Sequence, residues 1–180
     1  ISHLQAKAAT CLNISADHLD RYRDLQHYTE VKLQVYEQAE WAVINRDDSV
    51  AQPHTVAGKT LSFGLSAPQQ DSEFGLRDGW LVHGSDNLLP VSKLKVPGKH
   101  NQANALAALA LGTAAGLPMP AMLAALQDFA GLPHRCQWVA DKYDVHWYND
   151  SKATNIGATL AAIEGLAGES SKLVLIAGGD

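Results

Sequence analysis

The sequence predicts an α/β fold: a mostly parallel sheet with a small antiparallel β region, followed by the start of a second α/β unit. Two observations lead to this prediction. Residues 8–45 run as strand, loop, helix and strand, the succession expected where neighbouring strands are parallel. Residues 60–95 instead alternate short apolar pieces with Gly, Asp and Asn, which is typical of antiparallel hairpins.

The first elements follow from local patterns. Residues 8–14 (AATCLNI) form an apolar run of the length of a buried strand. Asp24 then opens a helix that continues to Gln38, because apolar residues recur there at steps of three and four. Residues 41–45 (WAVIN) are the second strand, bounded by the turn-forming RDDS. Ligands of α/β folds bind beyond strand ends, so the polar residues after the first strand are candidates for a site.

The middle of the chain combines strands and helices. Four short pieces between residues 60 and 95 predict strands: TLSFG, EFGLR, WLVHG and VSKLKV. Residues 100–116 predict a helix that is apolar nearly all round and is therefore buried. A second helix, set off by Pro118 and Pro120, is expected to end near Ala130.

A domain boundary is predicted just after the loop GLPHR, so that residues 1–135 form one unit and residues 136–180 begin another. The second unit carries two strand pieces, QWVA and VHWYN, then a helix at about 156–166 and a strand at 172–177. The alternation of strand and helix thus restarts after the boundary.

Composition excludes several classes of protein. The 180 residues carry a net charge of -5 without a run of Lys or Arg, which excludes a nucleic-acid-binding surface. Only Cys11 and Cys136 occur, without CxxC spacing, so neither a disulfide framework nor a zinc site is expected. No apolar run reaches the roughly 20 residues of a membrane span, and the start has no signal-peptide layout. We expect a cytoplasmic protein with no membrane partner and, since position 1 is not Met, an excised fragment.

Two polar clusters point to a metal site. In NISADHLDRY, His18 lies between two Asp residues after a strand, where it can ligate a divalent cation; a capped loop with a surface His is the alternative. Lys32 lies among apolar residues, where desolvation favours the neutral amine. Such an amine can take up carbon dioxide as a carbamate and become an anionic metal ligand. The alternative is a lysine that extends its ammonium to water.

Two further clusters point to a base or phosphate ligand. Asn101 and Asn104 lie in the first turn of a helix, where side-chain amides and free backbone N–H groups suit either group, although capping explains one Asn equally well. Arg135 precedes NDSKATN, which lies between a strand and a helix. There Asp150 could accept hydrogen bonds from ribose hydroxyls and Lys152 could meet phosphate oxygens. A plain helix cap is the alternative for this segment.

These clusters, in this order, resemble the Mur ligase family. The resemblance covers nearly the whole chain and rests on five stretches: NISADHLDRY, YTEVKLQVYE, GKHNQANALAALALGTAAGLP, GLPHR, and NDSKATN with the later AGGD. It implies a mononucleotide-binding central domain followed by a Rossmann-like domain. It also implies an ATP-driven reaction, in which a nucleotide-linked muramoyl carboxylate becomes an acyl phosphate that an amino-acid amine attacks. By resemblance, His18 is expected to bind magnesium, and Lys32 to be the carbamylated lysine that supports a second magnesium.

The resemblance assigns the remaining candidates to ATP. Asn101 and Asn104 are expected on the adenine side. Arg135, Asp150 and Lys152 are expected to be the arginine, the ribose-binding aspartate and the phosphate-facing lysine that arrive when the C-terminal domain closes.

Within the family, GLPHR and NDSKATN together favour the members that add D-glutamate to UDP-N-acetylmuramoyl-L-alanine in peptidoglycan precursor synthesis, acting as monomers. Another Mur ligase, a folylpolyglutamate-synthase-like ligase and a non-catalytic nucleotide-binding module are the alternatives. An oxidoreductase domain requires GxGxxG, which the sequence lacks. The GKT at residues 58–60 has no upstream glycine and precedes a strand, so it is not a phosphate loop. We expect the phosphate loop and a catalytic glutamate to precede Ile1, the amino-acid contacts to follow Asp180, and the chain alone to show no turnover.

Overall fold

The computed structural model describes residues 5–15, 21–167 and 172–178. Six strands form one sheet in the order β1-β2-β3-β4-β5-β6, and two more form a separate hairpin. The strands are β1 (Ala8–Ala9), β2 (Trp41–Asn45), β3 (Lys59–Phe63), β4 (Glu73–Arg77), β5 (Trp80–His83), β6 (Asp86–Pro90), β7 (Gln137–Lys142) and β8 (Val145–Asn149). The α-helices are α1 (Leu25–Leu33), α2 (Lys99–Ala114), α3 (Met119–Asp128) and α4 (Ile156–Ala167). The α/β prediction is confirmed.

The first strand is shorter than predicted, because side chains replace its ladder after Ala9. The Cys11 N–H donates to the Tyr36 hydroxyl at 2.8 Å, and the Asn45 amide donates to the Leu12 carbonyl at 2.7 Å. These side-chain bonds hold the backbone after Ala9 in place of main-chain pairing with β2. The predicted stretch 8–14 therefore splits into a two-residue strand and an anchored loop.

The first helix begins as predicted but changes form before Gln38. The Asp24 side chain accepts the His27 N–H at 2.8 Å, as an N-cap does. The α-helix ends at Leu33 and continues as one 3-10 turn, Gln34–Tyr36. Tyr36, in this tighter turn, lies in the core, and its hydroxyl accepts a hydrogen bond from the loop after β1.

Strand β3 corrects the predicted extent of the antiparallel region. It pairs in parallel with β2 and with β4, whereas TLSFG was expected in an antiparallel hairpin. A Cβ added to Gly58 would overlap the Glu40 carbonyl oxygen and lie 2.7 Å from the Ala39 carbonyl oxygen. Glycine at the start of the GKT therefore lets β3 approach β2 closely, in keeping with the prediction that this GKT is no phosphate loop.

The antiparallel region consists of β4, β5 and β6. Asp78 and Gly79 both have positive φ, 50° and 77°, as in the tight turns that join hairpin strands. The predicted strand VSKLKV is wrong: the strand is β6, and Val91–Lys93 form a 3-10 turn closed by the Leu94 N–H on the Val91 carbonyl. Pro90 has no N–H to extend the ladder, which explains why the strand ends there.

The buried helix predicted at 100–116 is confirmed as α2, which packs on the sheet and is capped after its end by Gly116 in the left-handed region. The helix after Pro118 is confirmed as α3, ending at Asp128. The largest fully buried side chains all belong to the sheet or to α2: Phe63, Phe74, Leu81, Leu106, Leu109, Val43 and Val82. None of the helices in the described ranges is long and apolar enough to cross a membrane.

After α3 the chain forms the antiparallel hairpin β7–β8 and then α4. The helix predicted at 156–166 is confirmed. The strand predicted at 172–177 is wrong: this segment carries no ladder, and Val174 and Ile176 are 73% and 82% exposed. A strand needs a neighbour, and the described residues offer this segment none. The boundary after residue 135 and the Rossmann-like continuation stay predictions.

Candidate functional site

The loop after β1 is held at the carboxyl end of the parallel strands by buried contacts. Tyr36 is 3% exposed; its hydroxyl accepts the Cys11 N–H at 2.8 Å and donates to the Val43 carbonyl at 3.3 Å. Asp48 accepts the Ile14 N–H at 2.9 Å. The loop is therefore held at Cys11 by Tyr36 and at Ile14 by Asp48. His18 lies outside the described residues, and the described residues contain no group of three or more His, Cys, Asp or Glu side chains that could hold a metal.

Lys32 projects from the last turn of α1 and is exposed, so the predicted desolvation among apolar neighbours is wrong and the side chain reaches solvent, as the alternative had it. Its Nζ lies 5.3 Å from the centre of the Tyr28 ring, and Tyr22 packs edge-on against the same ring at 4.9 Å. Burial raises the pKa of the Cys11 thiol, and the charge of Lys32 acts against that rise. The ammonium is therefore close enough to the loop after β1 to act on it electrostatically, while remaining accessible from solvent.

The N-terminus of α2 is shaped by a Pro-Gly turn. Gly98 caps the helix with φ 95°, and its carbonyl accepts the Asn101 and Gln102 N–H groups. The Asn101 side chain donates to the Pro97 carbonyl at 2.6 Å, which fixes the amide against the turn. Asn104, three residues further on, is exposed on the same side of the helix. Both predicted amides therefore lie at this helix end, Asn101 oriented by the backbone and Asn104 open to solvent.

The loops GLPHR and NDSK are fastened to each other. The Lys152 N–H donates to the His134 carbonyl at 3.1 Å. The Asn149 Oδ1 accepts the Ser151 N–H at 3.1 Å, which turns Asn149 Nδ2 towards His134 Nδ1 at 3.0 Å. An amide nitrogen can only donate, so His134 Nδ1 is the acceptor in this contact. Arg135 is thereby held within the same pair of loops as Lys152.

Asp150, in the NDSK loop, accepts a hydrogen bond from Cys136 and lies near the first turn of α2. Its Oδ1 accepts the Cys136 N–H at 3.0 Å. Burial lowers the pKa of His100, and the charge of Asp150 opposes that change, so the carboxylate lies within electrostatic reach of the first turn of α2. A Cβ added to Gly165 would lie 3.0 Å from His100 Cε1, which shows how closely α4 approaches the same turn. Asp150 is thus brought towards the helix end that carries Asn101.

The loop after β1 also approaches the NDSKATN segment. A Cβ added to Gly157, in the first turn of α4, would lie 3.8 Å from Ser15 Oγ. The structure therefore brings together the loop after β1, the N-terminus of α2 and the NDSK loop on one side of the molecule.

Sequence reasoning missed four residues that shape this region: Tyr36, His100, His134 and Cys136. His134 and Cys136 have φ 64° and 41°, a conformation that Gly favours and that Asn, Asp and His adopt more often than other residues, but that a Cys does not indicate. Their position on either side of Arg135, a predicted site residue, was the feature of the sequence that could have pointed to them. Tyr36 was read only as part of an apolar helix face, and His100 only as the start of a helix.

Comparison with known proteins finds relatives that align over almost the whole chain. The chain is 54% identical over 183 residues to a UDP-N-acetylmuramoylalanine–D-glutamate ligase from Pseudomonas putida, and 53% identical over 184 residues to one from Nitrosococcus oceani. Each alignment covers 98% of this chain and 40% of the relative, so the chain spans about 40% of the length of these curated relatives.

Solved structures share the fold. MurF from Acinetobacter baumannii superposes with a TM-score of 0.73 at 21% identity, covering 92% of this chain and 38% of that one. A pseudomurein peptide ligase type C from Methanothermus fervidus gives 0.69 at 18% identity, covering 91% and 41%. The model of the Mur ligase middle domain matches residues 1–112, more than half of the sequence, and the chain therefore belongs to the Mur ligase family.

Proposed function

We propose that this chain works in an ATP-dependent ligase that joins D-glutamate to UDP-N-acetylmuramoyl-L-alanine. The observation that carries the proposal is that three segments lie close together on one side of the molecule: the loop after β1, the N-terminus of α2 and the NDSK loop. Relatives that are 53–54% identical over 98% of this chain carry the name of that ligase.

The reaction couples two steps. The carboxylate of the muramoyl-alanine attacks the γ-phosphorus of ATP, which gives an acyl phosphate and ADP. The amine of D-glutamate then attacks the acyl carbon, the amide bond forms, and inorganic phosphate leaves with the electron pair of the broken C–O bond. Both steps bring anions together, so a protein that accelerates them needs cations and hydrogen-bond donors at the phosphates.

The described residues supply nucleotide contacts of the required kinds. Asn101 and Asn104 are the proposed contacts to the adenine. The Asn101 side chain donates to the Pro97 carbonyl at 2.6 Å, and Asn104 is exposed. Asp150, held at one oxygen by Cys136, offers acceptors to ribose hydroxyls. Arg135 and Lys152 carry the positive charge that developing phosphate charge requires.

Magnesium is proposed to bind at the other side of the region. Lys32 is exposed there, and as a carbamate it would offer anionic oxygens, which magnesium prefers. With His18 it would hold the ion near the loop after β1. Bound there, magnesium would offset negative charge between the ATP phosphates and the acyl carboxylate. We place the protein in the cytoplasm, which suits two cysteines that are both free.

A chimera tests the proposal. Residues 1–180 replace the matching segment of the Pseudomonas putida ligase, and phosphate release is measured with ATP, UDP-N-acetylmuramoyl-L-alanine and D-glutamate. We expect release that requires D-glutamate and falls at least about 100-fold in the Lys152→Ala chimera, the order expected when a charged contact to the reacting phosphates is lost. Release should also fall in the Asp150→Ala chimera, which loses the acceptors for the ribose hydroxyls. The Tyr143→Phe chimera is the control, because Tyr143 is 85% exposed on the β7–β8 turn.

Two outcomes would contradict the proposal. A chimera that folds, as judged by circular dichroism and a cooperative melt, but releases no phosphate would reject the assignment of this chain to such a ligase. Release that is unchanged in the Asp150→Ala and Lys152→Ala chimeras would reject the proposed nucleotide contacts of these two residues.

A further inference from the structure

Cys136 contacts the Asp150 carboxylate through its main chain, and that carboxylate also acts on the Cys136 thiol. Its main-chain N–H donates to Asp150 Oδ1 at 3.0 Å across 14 residues of sequence. The pKa of Cys136 is raised to about 11. Burial is the largest cause, followed by the negative charge of Asp150 and then by hydrogen bonding of the thiol to that carboxylate. The thiol therefore stays protonated at neutral pH and acts as a donor.

The backbone of Cys136 is held in an unusual conformation to make this contact. Its φ is 41°, in the left-handed region that residues with a Cβ rarely adopt. The neighbouring loop fixes it: the Arg135 N–H donates to the Leu132 carbonyl at 3.2 Å, and the His134 N–H donates to Gln137 Oε1 at 3.0 Å. Conformations of this kind persist where surrounding contacts impose them, and they concentrate at binding sites.

Rotation of the Asp150 carboxylate is thus limited from one side. A carboxylate has two oxygens with about four acceptor positions, and the Cys136 N–H occupies one of them on Oδ1. The acceptor positions that stay open have a defined direction, which is the requirement for binding two vicinal hydroxyls of a sugar in one orientation.

We propose that Cys136 is a positioning residue: its main-chain N–H and its thiol together orient the Asp150 carboxylate for the ribose of the nucleotide. The proposal rests on the proposed function, which assigns ribose binding to Asp150. The Mur ligase resemblance did not single out Cys136. In this proposal Cys136 acts by orienting Asp150 and does not act as a nucleophile.

A purely structural role is the competing explanation. Cys136 directly precedes β7 and Asp150 directly follows β8, so the bond also closes the base of the hairpin. A hairpin-closing bond would affect thermal stability alone. A positioning bond also affects nucleotide affinity, and it ties the reactivity of the thiol to the charge at position 150.

The first experiment measures alkylation of the 180-residue chain by iodoacetamide between pH 7 and 10, with each cysteine quantified by peptide mass spectrometry. At pH 8, Cys136 should react about 100-fold more slowly than a thiol with the ordinary pKa of 9.0, because a pKa of about 11 lowers the thiolate fraction by that factor. In Asp150→Asn the pH profile of Cys136 should shift to lower pH. Cys11 is the internal control, since Asp150 is not among the groups that shift its pKa.

The second experiment measures the affinity of ADP with magnesium by isothermal titration calorimetry. Cys136→Ala should weaken ADP binding several-fold, and Cys136→Ser, which keeps a side-chain donor, should restore most of it. Thermal melts of both variants are recorded alongside, because a structural role would lower stability without this pattern of loss and rescue.

The outcomes separate the two proposals. An Asp150→Asn variant with an unchanged Cys136 profile would overturn the positioning role, and so would a Cys136→Ala variant that binds ADP as the parent does. If the parent chain and the ligase chimera both fail to bind ADP while the alkylation profile shifts as expected, the contact stands and the proposed nucleotide role of Asp150 fails.

Discussion

Replacing Tyr36 by phenylalanine removes one hydroxyl that ties the loop after β1 to the sheet. The ring stays, so packing in the core is kept, and the Cys11 N–H loses its acceptor at 2.8 Å in a buried position. The Val43 carbonyl loses a longer bond of 3.3 Å. Leaving a buried donor without a partner costs about 1 to 3 kcal/mol, a large fraction of the roughly 5 to 15 kcal/mol by which domains are stable.

We expect Tyr36→Phe to lower the free energy of unfolding in urea by about 1 to 3 kcal/mol with an unchanged m value, since the extent of the core is the same. Tyr143→Phe, at a position 85% exposed, should change it by less than about 0.5 kcal/mol. A Tyr36→Phe variant as stable as its Tyr143→Phe control would show that the loop after β1 does not depend on this hydroxyl.

Two other changes test the sheet. Gly58→Ala should lower the free energy of unfolding by about 1 to 3 kcal/mol, because its Cβ would overlap the Glu40 carbonyl oxygen. The control is Gly79→Asn, which should lower it by less than about 1 kcal/mol, because the new side chain meets open space and Asn tolerates φ 77° in a turn. Equal losses in the two variants would contradict the steric argument. Burial lowers the pKa of His83 below its ordinary 6.5, so the unfolded state binds more protons and stability falls as pH drops below 6.5. In His83→Phe, where a ring still stacks on Phe74, the fall between pH 7 and pH 5 should be smaller by urea titration, and an unchanged fall would show that this imidazole is not the group responsible.

The parts of the fold that can be predicted from the sequence are those that depend on neighbouring residues alone. Trp41–Asn45 is predicted residue by residue because five consecutive residues favour a strand and turn residues bound it. Direction is not local: β3 has the same apolar pattern whether it runs parallel or antiparallel to β2, and its direction depends on how the chain between them returns. Asp86–Pro90 was missed because Asp, Asn and Pro are poor strand formers, and pairing with β5 overrides that preference.

The candidate site divides in the same way. Asn101, Asn104, Asp150 and Lys152 were found because polar residues at helix and strand ends are visible as types and spacings. The distances between them depend on contacts that no spacing reveals, such as the Cys136 N–H on Asp150.

Two glycines show what sets the spacing between α2 and the NDSK loop. A Cβ added to Gly98 would lie 3.4 Å from Gly165 Cα, and one added to Gly165 would lie 3.0 Å from His100 Cε1. The imidazole of His100 therefore packs against both glycines, where a side chain on either would separate α4 from α2. Since Asp150 is carried on the chain that leads into α4, the closeness of this glycine-lined contact determines whether an amide on α2 and a carboxylate on the NDSK loop can reach the same nucleotide.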